Sequence, residues 1–282
     1  MFVPPVLFAL AICVVCVPCA TVGSLRMHPW LVVYLLATAS AVAAGAVTTI
    51  GLLALAVLFG IAWLAHRAAG LARFSLILVF AALAIALSIR AVPGVGQVVS
   101  QDAPRIASQH PAFAHGLDVG KASIGLLLFA LLVPRVSTLA EARQMWRPTL
   151  ALGLAGTAVT VGAAIVLGWL RFEPKLPPGA IVFLASNLIF TCIAEESVFR
   201  GLLQEGMHRV AERWQHPWMN SGVVALSAVL FGAAHARGGL HYVVLATLGG
   251  ATNALAYAKA RKVEASAITH FTLNAAHFVL FT

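Results

Sequence analysis

The sequence predicts an all-α protein, a polytopic transmembrane helix bundle of about eight to ten membrane helices with a polar cavity in its C-terminal half. Of its 282 residues, 61% are hydrophobic and only 10% are charged, which lies outside the range of soluble domains. Apolar segments close to the 20 residues that cross a bilayer recur from end to end, separated by short charged patches. A membrane is therefore the expected solvent of this chain.

The first third of the chain contains four of these segments. The stretch from Leu7 to Val22 lacks the charged start and the cleavage site of a signal peptide, so we expect a retained helix. The stretch from Trp30 to Leu64 is too long for one untilted span, and the expected break into two helices lies at Gly45 to Gly51. Another span is expected from Phe74 to Ile89.

A long polar segment from about Pro93 to Gly120 separates these helices from the rest, because it shows no sustained apolar period. We therefore expect two parts: residues 1–118, with the N-terminal transmembrane helices and the polar loop, and residues 119–282, a second transmembrane domain. The second part has six apolar stretches, at Ile124–Leu132, Leu150–Leu170, Ala180–Ile193, Val223–Ala234, Tyr242–Tyr257 and Ala265–Phe281.

The net charge of +9 comes from basic residues scattered singly at the predicted helix ends. Such residues are typical of loop charges and membrane anchors, so no nucleic-acid partner is expected. Two basic clusters are expected in short cytoplasmic loops, namely Arg135, Arg143 and Arg147, and Lys259, Arg261 and Lys262.

The first candidate site element is a charged motif that directly follows the apolar run ending at Ile193. Glu196 and Arg200 are four residues apart and therefore neighbours on one helix face, whereas Glu195 points about 100° away. Three charges in a membrane helix must lie near an interface or in a wet cavity. The spacing predicts one carboxylate neutralised by a guanidinium and a second one free to act as a base; a salt-bridged helix end is the alternative interpretation.

Two further elements place polar side chains on apolar helices. Phe231 and His235 share a helix face at the end of one apolar run. His270, Asn274 and His277 form a polar stripe on the last predicted helix, and that stripe must face the interior of the bundle. Taken alone, His235 would be read as an interfacial residue.

Together these residue types suit hydrolysis inside a membrane. A carboxylate and histidines supply a base and proton shuttles, and an amide supplies a donor to an oxyanion. Zinc is an alternative for the same side chains, because imidazole nitrogen and carboxylate oxygen are its usual ligands.

In order, the three elements read Glu-Glu-x-x-x-Arg, Phe-x-x-x-His and His-x-x-x-Asn, and over roughly Ala180 to Thr282 they resemble the type II CAAX prenyl endopeptidase family. Its CPBP superfamily of intramembrane proteases also takes in bacteriocin-processing and abortive-infection proteins. The resemblance implies that Glu195 is the main base on the water, assisted by His235. It also implies catalytic positions for Glu196, Arg200, His270 and Asn274, with no required metal.

The resulting hypothesis is an intramembrane endopeptidase that hydrolyses a membrane-associated peptide or protein tail, with residues 119–282 as the protease-like domain. We expect lipid and a peptide or protein substrate as partners, and a multi-pass location in a bacterial cell membrane. A non-enzymatic transporter or scaffold that uses the buried Glu and His residues is the alternative. A transporter would usually show internal repeats, and the sequence shows none. The sequence does not define the oligomeric state.

Overall fold

The computed structural model describes residues 3–17, 20–22, 25–98, 117–214, 216 and 218–281. Apart from a short 3₁₀ turn at Ala236–Gly238, ten helices follow one another in this part of the chain: α1 Val3–Cys16, α2 Pro29–Ala43, α3 Thr49–Arg67, α4 Gly70–Ser88, α5 Val119–Leu132, α6 Leu139–Val166, α7 Ala180–Trp214, α8 Met219–Ala234, α9 Leu240–Ala260 and α10 Val263–Leu280.

The strands of the described residues are very short. Ala20–Val22 (β1) pairs antiparallel with Leu25–Met27 (β2), and Gln97–Val98 (β3) pairs antiparallel with Leu117–Asp118 (β4). The middle of the predicted polar loop, residues 99–116, lies outside the described part of the chain.

Four helices of the described chain, α3, α4, α6 and α7, are long and apolar enough to cross a membrane, and α1, α2, α5 and α8 are shorter apolar helices. Two more helices, α9 and α10, have 21 and 18 residues, and α10 carries His270 and Asn274 of the predicted site. The predicted all-α membrane bundle is therefore confirmed.

The chain divides into two compact units, Met1–Leu132 and Val133–Thr282. In the first unit, α1 packs on α2, α3 packs on α4, and α5 contacts both α3 and α4. In the second unit, α9 packs on α8, α10 and α6, and α10 also packs on α6. The functional division after residue 118 stays a prediction.

The N-terminal helices agree with the sequence at one point and differ at another. The break predicted between Gly45 and Gly51 is confirmed, because α2 ends at Ala43 and Thr48 caps α3 by accepting a hydrogen bond from the Gly51 N–H. The first helix ends at Cys16 and does not extend to Val22. Val17 is extended, as a residue before proline usually is, and Pro18 follows it.

Helix α6 begins earlier than the sequence analysis predicts. Arg143 and Arg147 therefore lie in its first turns and not in a loop, which corrects that expectation. Two side-chain bonds fix this start: the N-cap Thr138 side chain accepts from the Glu141 N–H at 3.1 Å, and Glu141 accepts from the N–H of Ser137, the residue before the cap, at 2.8 Å.

A buried carboxylate holds the turn between α9 and α10 against the end of α7. Glu205 accepts hydrogen bonds from the Tyr257 hydroxyl at 2.8 Å and from Arg261 Nε at 2.9 Å. Arg261 adopts a left-handed conformation with φ of 53° and also pairs with Glu212 at 2.7 Å. Arg261 therefore has a fixed structural role, beyond the general loop charge that its position suggested.

Glycine allows α8 and α9 to approach closely near the second motif. A Cβ atom on Gly232 would collide with the Thr247 side chain and would lie 2.8 Å from the Val243 carbonyl oxygen, which belongs to the backbone and cannot move by a rotamer change. Gly162 of α6, in contrast, has open space at the same position.

We expect Gly232→Ala to destabilise the protein by about 1–3 kcal/mol, because the added methyl overpacks the interface between α8 and α9. The matched control Gly162→Ala should be neutral or more stable by up to about 1 kcal/mol, because alanine favours the helix. Thermal unfolding of both variants in detergent measures the difference. Equal unfolding midpoints would contradict the close approach.

Candidate active site

A buried ion pair on α7 forms the centre of the candidate site. Glu196 and Arg200 are both 0% exposed, and Arg200 Nε lies 3.2 Å from Glu196 Oε2. Arg200 Nη2 donates to the Gly250 carbonyl of α9 at 2.7 Å, and its guanidinium carbon lies 4.6 Å from the centre of the Phe231 ring. The two charges therefore compensate each other, and the arginine gains a further hydrogen bond and a cation–π contact.

The second oxygen of Glu196 binds side chains from two other helices. His270 Nδ1 of α10 lies 2.8 Å from Glu196 Oε1, and Asn253 Nδ2 of α9 donates to the same oxygen at 3.0 Å. Thr269 in turn donates to Asn253 Oδ1 at 2.8 Å. Because an ionised carboxylate only accepts, His270 Nδ1 must carry a proton, and in the neutral ring Nε2 then holds the lone pair.

His235 is oriented in the same way at the C-terminal end of α8. Its Nδ1 lies 2.8 Å from the Phe231 carbonyl oxygen, which also only accepts, so its Nε2 holds the lone pair in the neutral ring. The Phe231 ring lies 4.7 Å from the His235 ring and 5.5 Å from the His270 ring, measured between centres. The phenylalanine of the second motif therefore packs against both histidines.

Both histidines line one cavity of about 450 Å³ within the second unit. Its walls come mainly from α6, α8, α9 and α10, and they include Asn253, Asn274 and His277 among apolar side chains. This arrangement gives polar groups access to a volume large enough for a peptide segment and water.

Glu195 lies next to this cluster and makes different contacts from Glu196. It is half-buried, and its Oε2 atom is buried with no hydrogen-bond partner among the described residues. Glu195 is close enough to Tyr242 and His270 to interact with them electrostatically. In the described structure no hydrogen bond joins Glu195 to His235, and the residues that line the cavity do not include Glu195.

Asn274 lies one helical turn after His270 and contacts the beginning of α7. Its Nδ2 atom lies 3.2 Å from Asn187 Oδ1 and 3.8 Å from Cys192 Sγ. The cysteine is buried, and its Sγ lies 3.3 Å from Asn187 Oδ1. Cys192 therefore reaches the polar cluster.

The sequence analysis missed Asn187 and Asn253. Both are amides inside apolar helices, and a polar side chain in such a position commonly faces a partner or a cavity. The same reasoning that singles out Asn274 on the last helix identifies these two residues as well.

Among the residues that the structure describes, no three His, Cys, Asp or Glu side chains lie close enough together to hold a metal ion. In the same part of the chain, Glu196 is engaged by Arg200, Asn253 and His270. The zinc alternative therefore has no ligand set within the described site.

The fold and site define a helical membrane protein in which a buried Glu–Arg–His cluster adjoins a polar cavity. Residues 177–276 match the family model of Rce1-like type II CAAX prenyl endopeptidases. This segment contains all three motifs, so the resemblance seen in the sequence is confirmed over these residues. No curated protein and no solved structure matches the chain.

We expect Arg200→Met to destabilise the protein by about 3–5 kcal/mol, because it leaves the Glu196 carboxylate buried without its cation. The double variant Arg200→Met with Glu196→Gln should recover much of this loss, since the buried charge is removed as well. Unfolding midpoints in detergent test the pair. If the double variant is no more stable than the single one, the carboxylate charge is not what Arg200 stabilises.

Proposed function

We propose that this protein is an intramembrane endopeptidase, in which water activated by Glu195 and His235 hydrolyses a peptide bond of a membrane-associated peptide or protein tail. The observation that carries the proposal is the pair of histidines lining one cavity, each with its Nδ1 bound to an acceptor. Next to them lies Glu195, whose Oε2 has no partner in the described chain. The two histidines are proton carriers that line one volume, and Glu195 is the neighbouring base, outside the lining of that volume.

In the proposed reaction Glu195 accepts a proton from water as the water oxygen attacks the carbonyl carbon of the substrate. The Nε2 lone pair of His235 takes up this proton from Glu195 and then transfers it to the amine nitrogen of the leaving group as the C–N bond breaks. The products are a carboxylate and an amine. The partnerless oxygen of Glu195 supports its role as base, because Glu196 is already engaged in an ion pair.

The remaining motif residues organise the site and stabilise charge. Arg200 neutralises Glu196, and Glu196 fixes the ring of His270 by accepting a hydrogen bond from its Nδ1. Asn274 lines the cavity and donates an N–H to the negative oxygen that forms during attack.

The substrate class follows from the position of the cavity. Its walls belong to apolar helices, so a peptide reaches it in or along the bilayer. Membrane lipid is therefore a constant partner. The name of the matched family refers to a prenylated substrate. For this chain we propose only hydrolysis of a membrane-associated peptide. A bacterial cell membrane stays a prediction.

The test compares native membranes that contain wild type, Glu195→Gln or His235→Ala, and identifies new peptide termini by mass spectrometry. We expect new peptide termini in wild-type membranes. Their abundance should fall about 100-fold or more in both variants, which is the usual scale for loss of a base or proton shuttle. Glu212→Gln is the matched control, because Glu212 is exposed and is not among the residues that line the cavity. The abundance of the peptide termini in Glu212→Gln membranes should equal that in wild-type membranes.

If termini are unchanged in both site variants while the proteins are folded and abundant, the peptidase proposal is wrong. Loss of pH-driven solute uptake in proteoliposomes by the same variants would then support the transporter alternative.

A further inference from the structure

The first turns of α7 bring Asn187 and Cys192 together by an irregularity of the helix. Residues five apart in a regular α-helix point about 140° away from each other, because each residue turns the chain by about 100°. Asn187–Cys192 forms a π-helical segment, whose backbone bonds join residues five apart. Cys192 Sγ accordingly lies 3.3 Å from Asn187 Oδ1, and the thiol hydrogen fixes the amide oxygen.

The same amide oxygen also holds Asn274 of α10. The Nδ2 atom of Asn274 contacts two acceptors of unequal strength, Asn187 Oδ1 at 3.2 Å and Cys192 Sγ at 3.8 Å. A carbonyl oxygen is a good acceptor and a thiol sulfur a weak one. The Asn274 amide is therefore held firmly by Asn187 and only weakly by Cys192.

We propose that Asn187 is a positioning residue, which orients the Asn274 amide. In this orientation an N–H of Asn274 gives up its weak contact with the Cys192 sulfur and donates a hydrogen bond to the substrate oxyanion instead. This inference rests on the proposed peptidase function. An oxyanion is a far stronger acceptor than a thiol, so the exchange favours the transition state over the resting enzyme. Because Asn187 keeps its own bond throughout, little reorganisation accompanies the reaction.

A purely structural role for Asn187 would be to satisfy its own polar groups inside the membrane. Such a role and the positioning role both lower stability when Asn187 is replaced. They differ in kinetics, because only positioning acts through Asn274 and only positioning changes the chemical step. The kinetic coupling between Asn187 and Asn274 therefore distinguishes the positioning role from the structural role.

The experiment is a double-mutant cycle with Asn187→Leu, Asn274→Ala and the double variant. Its substrate is a synthetic peptide spanning one of the Glu195-dependent termini. We expect Asn274→Ala to lower kcat by about 10²–10³-fold, as for loss of an oxyanion donor, and Asn187→Leu to lower kcat by about 10-fold with KM unchanged. In the Asn274→Ala background, Asn187→Leu should change kcat by less than about twofold.

The matched control is Asn220→Leu, which removes an asparagine whose side chain contacts His208 rather than Asn274. It should keep the wild-type kcat. Wild-type kcat in Asn187→Leu, or independent losses that multiply in the double variant, overturns the positioning role while the peptidase function stands. Cleavage that persists in Glu195→Gln overturns the peptidase function, and the positioning role with it.

Discussion

The buried carboxylate of Glu196 is the constraint on which the site depends. A charge in a membrane interior costs several kcal/mol unless it is paired and hydrogen-bonded. Its partners come from three helices: Arg200 from α7, Asn253 from α9 and His270 from α10. These helices must therefore meet at one place, and the stabilisation of one charge fixes the geometry of the whole cluster.

The same constraint separates the roles of two adjacent glutamates. Glu196 accepts hydrogen bonds through Oε1 and pairs with Arg200 through Oε2, whereas the Oε2 atom of Glu195 on the neighbouring face has no hydrogen-bond partner among the described residues. The engagement of Glu196 also determines the orientation of His270, since a carboxylate accepts only from a protonated Nδ1. Structure and proposed catalysis thus use the same hydrogen bond.

Helix periodicity explains how much of the site could be predicted from the sequence. The pair Glu196–Arg200 follows from a spacing of four, and the polar stripe of α10 follows from the same rule. The contact between Asn187 and Cys192 could not be predicted in this way, because the π-helical segment departs from α-helical spacing. The start of α6 could have been predicted from the Thr138 to Glu141 capping pattern, although the cluster of Arg135, Arg143 and Arg147 suggested a loop.

The sequence by itself determined the membrane class, the break between α2 and α3, and the three motifs, because each depends on local composition or on neighbours along one helix. Only the tertiary structure decided that Asn253 bridges Thr269 and Glu196, and that Phe231 packs between His235 and His270. These contacts join residues on different helices. They depend on how α8, α9 and α10 pack against one another. Close approach at glycines such as Gly232 permits this packing, and no residue spacing along the chain predicts it.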